Sequence, residues 1–110
     1  MRILLDTHVF LWVVSDSPRL SQSARTQIEN AAEVFVSVAS LWEISIKAVT
    51  GKIDADVEAM AWAIHESGFY ELPVRASHAV QLSRLPLLNG HKDPFDRLLV
   101  AQSMVEPLVL

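Results

Sequence analysis

Four acids occupy positions where chemistry is possible: Asp6, Glu43, Asp93 and Asp96. Asp93 and Asp96 flank a proline in "HKDPFDRLLVAQS" (91–103), where an oily helix begins. Helix-start geometry explains much of that spacing. Asp93 fits the N-cap and Pro94 the first helical position, with Asp96 third, at the positive end of the helix dipole. Yet Asp96 has Leu99 and Val100 one turn on and Ser103 below, an oily setting for a purely surface acid. Asp6 directly follows the apolar run "RILL". In an open parallel sheet ligands bind beyond the carboxyl ends of the strands, so Asp6 lies where chemistry usually sits; it would serve equally as an N-cap. Thr7 adds a hydroxyl to either arrangement.

Glu43 lies in "VASLWEISIKAVT" (38–50). At about 100° per residue, Val38, Leu41, Trp42, Ile44, Ile46, Ala48 and Val49 cover most of a helix circumference. Ser40, Glu43 and Lys47 share the narrow wedge that remains. A helix apolar nearly all round is buried, so this wedge faces a cleft, an interface or a strip of solvent. The plain alternative is a surface Glu43–Lys47 pair, worth only about 0.3–0.5 kcal/mol. The combination says more than any one acid. Carboxylates brought together repel and desolvate, so they need a cation among them. Oxygen-only ligands favour Mg²⁺ or Mn²⁺ over zinc. The chemistry that best uses such a cluster is phosphodiester hydrolysis, the metal polarising the phosphate, activating water and stabilising the leaving oxygen.

Composition narrows the possibilities. The 110 residues suit one domain, 51% hydrophobic and 20% charged, which argues against disorder. No cysteine is present, excluding disulfides and thiolate zinc sites and suiting a cytoplasmic protein. The four histidines (8, 65, 78 and 91) include no pair at helical ligand spacing. The net charge of −4 supplies no global basic field for nucleic acid, so such binding needs a local basic rim or metal ions. No apolar run approaches the roughly 18 residues of a membrane span. "MRILLDTHVFLWVV" imitates a signal peptide only faintly, since Asp6 and His8 interrupt it and no cleavage site follows.

The elements that must position the acids follow from patterning. "RILL", "EVFVS" and "FYELPV" read as buried strands, and "PLVL" as the start of a fourth. Between them "THVFLWVVS", the polar "SQSARTQIENA", "VASLWEISIKAVT", "ADVEAMAWAIHES" and "RASHAVQLSRL" read as helices, with Gly51 and Gly68 as stops. "PLLNGHKD" is a loop. Its His91 and Lys92 suit a phosphate contact or ordinary solvation. Trp12, Trp42 and Trp62 lie on helices, as core or interface. Short strands alternating with helices predict an α/β fold with a mostly parallel sheet and helices on both faces.

"LLDTHVFLW", "VSVASLWEISIKAVTGKI" and "HKDPFDRLLVAQS" together make the sequence resemble PIN-domain nucleases, specifically the VapC-type toxins of bacterial toxin–antitoxin pairs. The resemblance runs along nearly the whole length. It implies a three-layer α/β/α domain over residues 1–110, Mg²⁺- or Mn²⁺-dependent endoribonuclease activity and inhibition by a cognate antitoxin. Matched residue by residue, Asp6, Glu43 and Asp96 fall on the family's three metal acids, with Asp93 an auxiliary acid and helix cap. Thr7, Lys47 and Arg97 are candidates for holding the substrate, Arg97 having plain solvation as its alternative. The family's pattern continues with a strand and a "T-x-D" acid beyond Leu110, so the domain is expected to lack its C-terminal end, with weaker metal binding and lower stability than an extended form. Two rival readings stand beside this one. One is a non-catalytic PIN module acting by partner binding. The other is a phosphatase or receiver domain with Asp6 as nucleophile, disfavoured because "DTH" lacks a second nearby acid.

Assembly is also legible. A mean hydropathy of +0.28, with tryptophan on three helices, exceeds what a small domain buries, since such domains hide only about 60–70% of their surface. Exposed apolar area on that scale marks interfaces. A homodimer is expected, plus a groove for an antitoxin segment whose arginine meets the acids in bidentate fashion. No residue pattern here encodes which RNA is cut.

Overall fold

The computed structural model describes residues 1–87 and 93–110. Strands β1 (Arg2–Leu5), β2 (Glu33–Ser37) and β3 (Tyr70–Leu72) pair in parallel, in the order β1-β2-β3. Leu4 pairs with Phe35, and Phe35 with Tyr70. On the other side of β1, Val109 forms an isolated parallel bridge with Ile3, through N–H donation from Val109 to Arg2 and from Leu4 to Val109. "PLVL" therefore contributes one bridge among the described residues rather than a full strand.

Parallel strands need crossovers, and helices supply them. Helices α1 (Thr7–Val14) and α2 (Gln22–Asn30) link β1 to β2, and α3 (Val38–Val49) and α4 (Val57–Glu66) link β2 to β3. Helices α5 (Ala76–Ser83) and α6 (Pro94–Val105) follow β3. Successive side chains of a strand point to opposite faces, which sorts the core into two parts. Ile3, Leu5, Val34 and Val36 pack with Phe10, Ile44 and Ile64 on one face, under α1, α3 and α4. Leu4 and Leu72, with Phe35 beside them, pack against Leu99 and Leu108 on the other, under α6. Both faces of the sheet are covered, which is why its strands are apolar runs rather than alternating ones. The architecture is three-layer α/β/α.

Local signals set the boundaries. Asp6, Ser21, Ser37, Asp56 and Asp93 each cap a helix start by accepting backbone N–H groups. Gly51, just past α3, has φ of +76°, the left-handed conformation that lets the chain turn away without a Cβ clash. Among the described residues, no helix is long and apolar enough to cross a membrane.

Candidate active site

The parallel topology carries Asp6 and the start of α3 to the same edge of the sheet. Asp6 ends β1, where Oδ1 accepts a 2.8 Å hydrogen bond from the Val9 N–H and caps α1. That geometry realises the cap reading and still leaves Oδ2 for other work. Thr7, the next residue, is only 4% exposed. Its hydroxyl donates to Glu43 Oε1 at 2.7 Å and accepts from Ser40 Oγ at 3.0 Å, the only assignment open to a hydroxyl facing a carboxylate.

Glu43 belongs to α3 and is 4% exposed. The polar wedge of α3 thus faces the first turn of α1 rather than open solvent. Lys47 Nζ donates to Glu43 Oε2 at 2.9 Å. The i,i+4 pair exists, but its carboxylate is buried, so it is no ordinary surface pair. Lys47 keeps its side chain 32% exposed. Among the described residues no buried side-chain nitrogen or oxygen lacks a partner.

Asp93 caps α6 through Oδ1, which accepts from the Phe95 and Asp96 N–H groups at 2.9 and 3.0 Å. Pro94 takes the first helical position. Asp96 stands one turn into the field of the other acids. Its carboxyl is pushed above the ordinary value by desolvation first, then by the charges of Asp93, Glu43 and Asp6, with His8 opposing. Acids from three separate elements therefore act on one carboxylate. An aromatic contact joins the two helices that carry Glu43 and Asp96: Trp42 and Phe95, their immediate neighbours, meet edge to face at 4.9 Å.

Arg97 spends its guanidinium on the carbonyls of Pro86 and Leu85, at 3.0 and 3.2 Å, holding the end of the segment after α5 to α6. His91 and Lys92 lie outside the described residues. His8, Ser40, Trp42 and Phe95 are contributors that sequence patterning did not assign to the site. The i+3 spacing of Ser40 and Glu43 signalled the pairing of that wedge, but its partner was invisible.

The sequence pattern of the PIN domain matches residues 3–109. The chain belongs to the PIN-domain family. This PIN domain is also 33% identical, over 107 residues, to ribonuclease VapC22 of Mycobacterium tuberculosis, a match covering 93% of this chain and 78% of that relative. It is a PIN domain of the VapC type.

The donor set of this PIN domain suits a hard divalent cation. The side chains involved are carboxylates, and their mutual repulsion, read at Asp96, is what such a cation relieves. Among the described residues no three His, Asp or Glu side chains stand ready-made around one point. The acids share a field while three of them, Asp6, Glu43 and Asp93, are held by protein hydrogen bonds.

Proposed function

We propose that this protein is a Mg²⁺- or Mn²⁺-dependent endoribonuclease, the toxin of a toxin–antitoxin pair, in which Asp6, Glu43 and Asp96 hold the metal and Asp93 assists. The observation that supports the reading is the raised Asp96 carboxyl, pushed up by desolvation and then by the charges of Asp93, Glu43 and Asp6. A relative named as a ribonuclease supports the substrate class. The cation, when bound, supplies positive charge for the phosphate and its leaving oxygen and activates the attacking water. Everything else falls to the chain. Thr7 fixes the Glu43 carboxylate, the caps on α1 and α6 fix Asp6 and Asp93, and the Trp42–Phe95 contact sets the separation of α3 and α6. Lys47 supplies a cation at the rim for the substrate, in a protein whose net charge of −4 gives no general attraction for RNA. The intended setting is the cytoplasm.

The test is cleavage of RNA with Mn²⁺ or Mg²⁺ against EDTA, using the parent and Asp6→Asn. Asparagine retains the capping oxygen, so the fold survives while the charge is lost. Cleavage is expected only with metal, and Asp6→Asn should be slower by roughly 10²–10³-fold, the usual cost of a lost electrostatic contact at a reacting phosphate. Undiminished cleavage in EDTA would sink the mechanism.

The antitoxin is proposed to offer an arginine to the acids, since a guanidinium matches carboxylates two bonds at a time and carries positive charge to them as a cation would. A homodimer is proposed on the exposed apolar side chains. Trp42, Ile46 and Val49 form a stripe along α3, at 58%, 42% and 88% exposure, and Trp62 on α4 is 61% exposed. Light scattering at tens of micromolar should give twice the monomer mass of 12.3 kDa. A clean monomer at that concentration rules the dimer out.

A further inference from the structure

Both carboxylate oxygens of Glu43 are already taken, one by the Thr7 hydroxyl and one by the Lys47 ammonium. A buried carboxylate left without a partner is costly, so a metal ligand that is 4% exposed needs some internal cation while no metal is present. The two partners differ in freedom. Thr7 is buried, β-branched and tied to Ser40, so it stays. Lys47 is a compact charge on a flexible four-carbon stem, about a third exposed. Its backbone is pinned, because its carbonyl accepts the Lys52 and Ile53 N–H groups at 2.8 and 3.3 Å. Only the side chain is free to move. A divalent ion approaching Oε2 meets a like charge at the same oxygen, and the two repel at that range far more strongly than in bulk water.

We infer that Lys47 is a displaceable stand-in for the cation: its ammonium holds Glu43 Oε2 in the metal-free protein, leaves when a divalent ion binds, and turns toward solvent to meet the substrate phosphate. The inference rests on the metal-site reading above. It gives one residue two successive partners of the same charge, first the carboxylate and then the phosphate. Metal loading thereby prepares the substrate contact, and an empty site keeps its cation withdrawn. A lysine suits this exchange better than an arginine, whose planar fork grips a carboxylate through two bonds and releases it less readily.

The chain has three lysines, at 47, 52 and 92, so each amine can be followed separately. The protein would be treated with an amine-reactive ester with and without Mg²⁺, and modification read by peptide mass spectrometry. Calorimetry on the same sample fixes the saturating concentration. Mg²⁺ should raise acylation of Lys47 several-fold while leaving the exposed Lys52 unchanged. Lys47→Met keeps the stem and removes the charge; it should bind Mn²⁺ roughly tenfold more tightly, as expected when a like charge beside the ion is lost. The same variant should show a raised KM for RNA. Unchanged Lys47 labelling at saturating Mg²⁺ overturns the exchange and leaves the metal site standing, as does weaker Mn²⁺ binding by Lys47→Met. No heat of metal binding in the parent overturns both.

Discussion

Asp96→Asn should raise the melting temperature in EDTA near neutral pH while cutting RNA cleavage by a factor of roughly 10²–10³ or more. Stability and activity move in opposite directions because the same repulsion serves both. The Asp96 carboxyl is raised by desolvation and by Asp93, Glu43 and Asp6, with only His8 opposing. A position in the first turn of α6 favours negative charge through the helix dipole, but the net direction shows that burial and the neighbouring acids win. A carboxyl raised on folding stabilises the fold while it is protonated. That contribution is complete below its unfolded value and is lost as pH rises through the folded one. At neutral pH the parent therefore carries an unwelcome charge that asparagine lacks. The advantage of Asp96→Asn should shrink as pH falls into the carboxylate range and the parent protonates. Mn²⁺ should raise the parent's melting temperature, since a ligand that binds only the folded state stabilises it, and should scarcely move the variant. Melts at two pH values, with EDTA or Mn²⁺, check all of this; a variant that melts below the parent in EDTA at neutral pH contradicts it.

Gln102→Leu should destabilise the protein by about 2–4 kcal/mol, through a network away from the acids. Ser37, Gln102 and His78 are all fully buried. Ser37 Oγ accepts the Ala39 N–H to cap α3 and donates to Gln102 Oε1 at 2.6 Å. Gln102 Nε2 donates to the Pro73 carbonyl and toward His78 Nδ1, both at 3.3 Å. The Arg75 N–H also donates to Nδ1, so the ring proton sits on Nε2 and goes to Glu106 at 2.6 Å. One serine hydroxyl thus joins the helix carrying Glu43 to the helix carrying Asp96. Leucine fills the space but strands the Ser37 proton and the Pro73 carbonyl, at about 1–3 kcal/mol for each orphaned group. At roughly 4–8 °C per kcal/mol for a domain near this size, the melting temperature should fall by about 8–32 °C. Adding Ser37→Ala should cost less than the two single changes summed, because it removes one of the orphans. A loss under about 1 kcal/mol would mean that the network holds little.

The sequence yielded the elements because each carries a local signal. "RILL" and "EVFVS" are apolar on both faces, Gly51 and Gly68 sit where φ must be positive, and Asp93-Pro94 is built as a helix start. The wedge of Ser40, Glu43 and Lys47 was visible from 3.6-residue periodicity, because a polar stripe on an apolar helix must face something specific. What lay opposite was not. Thr7 meets Glu43 across 36 positions and Ser37 meets Gln102 across 65, and no period within either segment encodes such a meeting. Gln102 and His78 read singly as unremarkable polar residues on helices, and only the packing of α5 against α6 and the meeting of Gln102 with Ser37 at the end of β2 give them a role. Arg97 had two plausible uses from its place after Asp96, and its bonds to Leu85 and Pro86 depend on the path of the preceding segment.

Asp6, Glu43 and Asp96 are proposed to share one cation. Anomalous diffraction at the manganese edge, from crystals soaked in Mn²⁺, addresses it directly. A peak bounded by these three carboxylates is expected, with Lys47 Nζ withdrawn from Glu43 Oε2. A peak elsewhere, or none at a concentration where calorimetry shows binding, would contradict it.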